Sequence, residues 1–229
     1  MSDLSSYSKA LRALLTPTER RIFAALDTPQ KIQSYLDRIP INFEMTGDTH
    51  MSPRRMLKAR RAHCSEGALF AAACLIYHGR PAFLMDLRAL PKDQDHMVTL
   101  FRDGAYWGAI SKTNHSVLRW RDAIYRNPRE LAISYAHEYF LDNRRKSLLA
   151  YSKPFRLTRF SPTRWVIAPD DLDWLISALD RSPHLSIAPP SFLRKRRPAS
   201  ALERWVLEYS EWKNPRERMA KRKWRPKNP

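Results

Sequence analysis

The chain has 229 residues, 43% of them apolar, and a formal net charge of +18. That apolar fraction suits one domain with a real core, or one domain with an appendage, and excludes wholesale disorder. Two cysteines exclude a disulfide scaffold, and no run approaches the ~20 apolar residues of a membrane span.

Helix starts are legible because several follow a Ser/Thr/Asn-Pro pattern, a capping side chain and then proline at the first helical position. The stretch before them, MSDLSSYSKALRALL, lacks a basic start followed by a long apolar region, so a reducing, cytoplasmic setting is expected. Thr16-Pro17-Thr18-Glu19 predicts a helix to about Leu26, with Glu19 placed for a capping box. Thr28-Pro29 opens the next, with Ile32, Tyr35, Leu36 and Ile39 on one apolar face. Ser52-Pro53 opens a short basic one to about Arg60. From Ala68 to Tyr77 a helix would be apolar on nearly every side, the mark of a central, buried one. Cys64 falls in its first turn, about 15 Å from Cys74 along the helix and beyond the roughly 7 Å a disulfide spans.

After Gly79, Pro81 to Leu87 reads as a short buried strand. His96 to Arg102 and Ala105 to Ser111 read as two strands joined by Asp103-Gly104, a strong hairpin signal. With Asp103 and Gly104 as the two loop residues, Arg102 pairs with Ala105. His96 then lies opposite Ser111 on the same face, with side chains about 5 Å apart. Asn127-Pro128-Arg129-Glu130 starts another helix, RELAISYAHEYF. Beyond Leu141 come an irregular, strand-capable segment, a helix near Asp170 to Leu179 and a Pro-rich linker around Pro183 to Pro198. A final helix is expected from about Ser200 to Trp212, its apolar face of Leu202, Trp205, Val206 and Tyr209 docked on the body or a partner. From Ser191 on there are 13 Lys/Arg and 4 Asp/Glu, net +9, half of the chain's charge. Such a basic tail fits nucleic acid, an anionic membrane or an acidic protein, and equally a solvated end. The expected division is a domain over 1–182, followed by linker, amphipathic helix and tail over 183–229. Helices, then strands, then helices point to an α+β fold.

Cys64 carries the chemistry. In the first turn of a helix, unpaired backbone N–H groups and the positive end of the dipole favour an anion and lower a thiol's pKa. The same N–H groups can hold an oxyanion. Glu66, one turn away, works against this; Arg60 and Arg61 work for it. A nucleophilic cysteine also needs an imidazole to take its proton and return it to a leaving amine, and His96 opens the first hairpin strand. Without such a partner, Cys64 is one more small hydrophobe. Other signals fall short: five glycines leave no Gly-rich phosphate loop, and His137-Glu138 lacks the second histidine of a zinc helix, so no cofactor and no metal are expected. Asn114-His115-Ser116 fits a glycosylation pattern that no secretory signal supports. Lys112-Thr113-Asn114-His115 could line the cleft.

Three stretches together resemble the transglutaminase-like superfamily, whose core is related in layout to papain-type cysteine proteases. They are Ser52-Pro53-Arg54-Arg55-Met56-Leu57 through Cys64-Ser65-Glu66-Gly67-Ala68 to Gly79-Arg80-Pro81-Ala82, then Asp95-His96, then Asp103-Gly104-Ala105-Tyr106-Trp107-Gly108-Ala109-Ile110-Ser111. The resemblance spans about Thr28 to Asn114. It implies Cys64 as nucleophile and His96 as general base. Ala62 stands where the family usually has glycine, and Ser111 where it has the aspartate that orients the histidine. A serine oxygen can accept the imidazole N–H and fix its tautomer, but cannot stabilise an imidazolium by charge. Asp95, Asn114 or a residue from elsewhere could complete the site.

The fold expected is therefore α+β with a transglutaminase-like (cysteine-protease-like) core, a buried central helix packed on an antiparallel sheet and flanking helices. The function expected is a thiol-dependent amide or peptide-bond hydrolase or acyltransferase acting on a protein or peptide through a Cys64 thioester, with Cys64, His96 and Ser111 catalytic. The alternative is a catalytically silent domain of the same fold that binds partners, its basic tail contacting nucleic acid or an acidic protein.

Overall fold

The computed structural model describes residues 4–215. In chain order the elements are α1 (Leu4–Leu14), α2 (Pro17–Ala25), α3 (Pro29–Arg38), α4 (Pro53–Ala59), α5 (Cys64–Tyr77), β1 (Phe83–Arg88), β2 (His96–Asp103), β3 (Tyr106–Ser111) and β4 (Arg121–Tyr125). Then follow α6 (Pro128–Ser134), β5 (Ala150–Ser152), β6 (Phe155–Arg156), α7 (Thr163–Val166), α8 (Asp173–Asp180), β7 (His184–Ser186), α9 (Pro190–Arg194) and α10 (Ala201–Trp205). This is the mixed α+β architecture the element order implied.

The Ser/Thr/Asn-Pro starts act as expected. Thr16, Thr28, Ser52 and Asn127 each accept the amide three residues on, and Glu19 closes a capping box with Thr16. Each such cap is worth about 1 kcal/mol. The α5 helix is buried from Ser65 to Ile76. It packs on β1–β3 on one side and on α1, α3 and α4 on the other.

The sheet runs β4-β3-β2-β1-β5-β7, with β6 also beside β1, and every pairing is antiparallel. Alternate side chains feed two cores. Leu84, Met97, Phe101 and Ile110 join the core around α5. Met85, Val98, Leu100 and Ala109 join a second core with Leu131, Tyr135 and Tyr139.

The hairpin differs from expectation. Asp103 pairs with Tyr106, so the loop is Gly104-Ala105, and Ser111 lies opposite Val98 rather than His96. A two-residue shift leaves every side chain on its original face, so the apolar pattern cannot distinguish the two registers. Glycine decides it: Gly104 has φ +54° at the first loop position, where a left-handed residue is needed.

The last helix is also shorter than expected. After α10 a 3₁₀ turn, Val206–Glu208, leads into an extended strap whose backbone bonds to the body instead of continuing the helix. Leu202, Trp205, Val206 and Tyr209 are exposed rather than docked. Within the Pro-rich stretch β7 pairs with β5, and Arg196 donates to the Leu148 and Lys146 carbonyls. The most basic part of the tail, from Arg216 on, lies outside the described residues. Among the described residues, no helix is long and apolar enough to cross a membrane.

Close approach of α5 to the end of β3 requires Gly67. A Cβ there would lie 2.4 Å from Lys112 Cβ. That neighbour sits at the root of its side chain, which in turn is anchored by Nζ donating to the Leu36 and Ile39 carbonyls at 2.9 and 2.5 Å. Gly67→Ala should gain about 1 kcal/mol of helix propensity but force an overpacking cost of about 1–3 kcal/mol. The expected net is a lower urea midpoint than wild type; a raised midpoint would show that the helix and strand are not clamped here.

Candidate active site

Loop 41–51 and the start of α5 are built around one carboxylate. Glu66 is fully buried and accepts from Asn42 Nδ2 (3.2 Å), Thr49 Oγ1 (2.9 Å), the Met51 amide (3.3 Å) and the His63 amide (2.9 Å). The last bond is half of a capping box in which His63 is the N-cap, its Nδ1 lying 3.3 Å from both the amide and Oγ of Ser65. Just upstream, Ala62 is held by backbone bonds to Pro40 and Asn42. Cys64 is thereby fixed as the first residue of α5. Its own amide has no carbonyl four residues back within the helix, which leaves it aimed into the space before the helix.

Two imidazoles act on the Cys64 sulfur. Nδ1 of His63 is 4.0 Å away, and His96, at the start of β2, is near enough to lower the thiol's pKa. Burial alone would raise the thiol's pKa, but the hydrogen bonds and charges of His63 and His96 hold it well below the ordinary value. Cys74 shows burial acting without partners: in the middle of the same helix, its thiol is pushed well up. For His63, burial opposes the charged ring. The Cys64 sulfur, the Glu66 carboxylate and the Thr49 carbonyl outweigh it and push the ring up to about 10. Its Nε2 donates to Thr49 O at 2.5 Å and lies 3.3 Å from a Glu44 oxygen.

His96 is buried, and its Nε2 bonds Ser111 Oγ at 2.8 Å. The pair forms despite the shifted register because Ser111 is a diagonal neighbour on the same face, within reach of a ring. Its polarity is decided one bond further on. Ser111 Oγ donates its single proton to the Leu118 carbonyl at 2.6 Å, so toward His96 it can only accept. Nε2 must then carry the hydrogen, and Nδ1 is left with a lone pair for the sulfur's proton. Leu118 is itself pinned, its amide donating to Glu138 (2.7 Å), which pairs with Arg121 (2.7 Å).

No family model and no curated protein matches this sequence. Among solved structures, part of the chain is similar to Legionella pneumophila LapG after EGTA treatment, at 17% identity and TM-score 0.33 over 48% of this chain and 71% of that one. A second structure of Legionella pneumophila LapG is similar at 16% identity and TM-score 0.33, over 48% and 73%. The likeness is distant and partial, and the chemistry of the site rests on this chain's own side chains.

Cys64 and His96 line one cleft of about 720 Å³, with Lys112, Thr113, Asn114 and His115 along one wall and Asp93–Asp95 along another. Ser111 supports His96 from behind. Asp95 and Asn114, the other residues considered for orienting the histidine, are engaged elsewhere. Asp95 accepts the Ala89 amide at 2.7 Å and Asn114 pairs with Trp212. Glu66 faces loop 41–51, and its effect reaches Cys64 through His63. His63 was missed in the sequence. Its signal was an omission: unlike α2, α3, α4 and α6, the α5 helix begins without Ser, Thr, Asp or Asn and has a histidine in that place, beside the cysteine. Among the described residues no group of three or more His, Cys, Asp or Glu is arranged to hold a metal ion.

With a depressed thiol pKa, alkylation of Cys64 should stay fast as pH falls from 8 to 6, whereas an ordinary thiol slows about tenfold per unit below its pKa of about 8.5. Cys74 should remain unmodified throughout. His96→Ala should cut the Cys64 rate at pH 6 by at least about tenfold. His63→Asn keeps a capping oxygen but removes the charge, and should act in the same direction. An ordinary thiol profile in the wild type, read by mass spectrometry, would show that neither ring activates the sulfur.

Proposed function

We propose that this protein is a thiol-dependent amide or peptide-bond hydrolase or acyltransferase of the transglutaminase-like kind, in which Cys64 forms a thioester with a protein or peptide. The observation that carries the proposal is a thiol that shares a cleft with two imidazoles, one of them, His96, locked in the tautomer a base requires by the Ser111–Leu118 relay.

The steps follow from the geometry. The Cys64 thiolate attacks the carbonyl carbon, with its proton held on His96. The oxyanion forms beside the helix start, where the Cys64 amide can donate to it. As the C–N bond breaks, His96 returns the proton to the departing amine and the thioester remains. His96 then removes a proton from water, giving a peptidase or deamidase, or from an amine, giving a transglutaminase-type transfer. Collapse of the second tetrahedral intermediate expels the Cys64 thiolate, and the proton taken from water or the amine stays on His96, which restores the starting pair.

Two jobs usually given to one aspartate are divided here. Ser111 orients the ring but brings no charge. The charge that favours the thiolate comes partly from His63 on the other side, itself backed by Glu44 and Glu66 at 3.3 and 3.6 Å. A second reading, a silent binding domain, draws on the same serine: without a carboxylate the imidazolium is less stabilised, and turnover could be lost while the thiol stays reactive.

A small acyl donor separates the two. With p-nitrophenyl acetate, the wild type should form acetyl-Cys64 and turn it over, and Cys64→Ala should do neither. Ser111→Ala should slow turnover roughly 10–100-fold, the worth of one hydrogen bond to a charged ring. Acetylation that stops at one equivalent and is indifferent to Ser111→Ala would identify a silent domain. Product analysis with an unfolded protein such as casein, by fragments, released ammonia or incorporated amine, then assigns the acceptor.

A further inference from the structure

Across the mouth of the cleft lies the chain's own C-terminal strap. Leu207, Glu208, Ser210 and Trp212 line the same cavity as Cys64 and His96. The strap is held as one β-strand is held by another. Ser210 and His115 form an antiparallel bridge, and the Glu211 amide donates to the Asn114 carbonyl at 2.9 Å. Asn114 then uses its side chain as if it were a further stretch of backbone, Nδ2 donating to Trp212 O (2.9 Å) and Oδ1 accepting the Trp212 amide (2.8 Å). Ser116 Oγ donates to Val206 O at 2.8 Å, and Arg119 pairs with Glu211 at 3.0 Å.

Most of these contacts use the strap's main-chain atoms. An edge that reads backbone accepts many sequences, as in strand addition. The strap's fit is also incomplete. Val206 and Tyr209 are exposed, Tyr209 by 59%, and Leu207 and Trp212 are only half-buried, so little apolar burial holds it down. The Trp212 indole N–H is buried with no acceptor among the described residues, which costs stability on the strap's own side. This is the pattern of an occupant that a better-fitting segment can displace.

We propose that the Thr113–Ser116 edge is the docking edge for an extended polypeptide substrate, and that the strap Val206–Trp212 stands in it as a resident competitor. The proposal deepens the thiol-enzyme reading and rests on it for the word substrate. It specifies an unfolded or extended chain rather than a small amide, running antiparallel to Thr113–Ser116, with two main-chain N–H groups presented to Asn114.

The test leaves the edge intact and alters the strap in the full-length protein. The double substitution Glu211→Pro, Trp212→Pro removes both strap N–H donors. A fluorescent peptide copying residues 204–214, RWVLEYSEWKN, is titrated by anisotropy into wild type and variant, each with and without Cys64→Ala. The variant should bind at least about tenfold more tightly than wild type, whose edge is occupied. N-methylation of the peptide at the positions of Glu211 and Trp212 should abolish binding. Equal binding to both proteins, no binding to either, or indifference to N-methylation would overturn the proposal. Circular dichroism, a Cys64 alkylation rate with iodoacetamide no lower than in the wild type, and an unmodified Cys74 confirm that the variant's body is intact. Because binding is read independently of the thiol, a failure of catalysis would leave this result standing, and a failure of docking would leave the acyl-enzyme result standing.

Discussion

A fully buried carboxylate at the start of the central helix is the constraint on which the site depends. Placing Glu66 out of water is costly unless its oxygens are supplied with donors. The chain supplies four: two side chains and one amide from loop 41–51, and the amide of His63. Satisfying that one group folds an irregular loop against α5, sets the helix's first residue as Cys64, and turns His63 into a cap. None of these positions is set by apolar packing, yet each is held because an unmet donor or acceptor in the interior would cost about 1–3 kcal/mol.

The second constraint is the direction of hydrogen bonds behind His96. A serine is ambiguous, able to donate or accept, and would ordinarily leave the imidazole tautomer undecided. Here the Leu118 carbonyl takes its proton. Leu118, with φ +60°, is kept in that unusual backbone conformation by the bond from its amide to Glu138. A carboxylate is therefore present in the relay, but two steps removed, where it fixes geometry and brings little charge to the ring. Charge enters from the opposite side through His63. An arrangement that divides orientation from electrostatics asks less of any single residue and makes the site harder to recognise by its third member.

Around this centre the strength of attachment varies in a way that matters for access. The α5 helix and the inner strands bury apolar area on both sides. The strap that closes the cleft buries little and is tied by hydrogen bonds and an ion pair near water, the weaker kind of tie. The covering segment is thus the part whose release costs least, while the groups it covers are among the most firmly placed.

Much of this was legible in the sequence. The Ser/Thr/Asn-Pro starts announce helices because capping and proline geometry are local. The apolar run after Cys64 announces a central helix, and the pairing of His96 with Ser111 could be inferred from hairpin faces alone. The correct pair emerged even though the register was shifted by two residues, because such a shift preserves faces and the imidazole reaches a diagonal neighbour. Tertiary structure decided what depends on residues distant in sequence. His63 is raised mainly by Cys64 and Glu66, its neighbours in sequence, but its Nε2 finds an acceptor in Thr49, which only the fold around Glu66 brings near. Ser111 becomes an acceptor only because Leu118 is there to take its proton, and the last helix ends early because Asn114, almost a hundred residues upstream, offers its backbone a better partner. Local chemistry singles out the thiol and an imidazole; the direction of each proton and the access to the site are set by groups that meet only when the chain has folded.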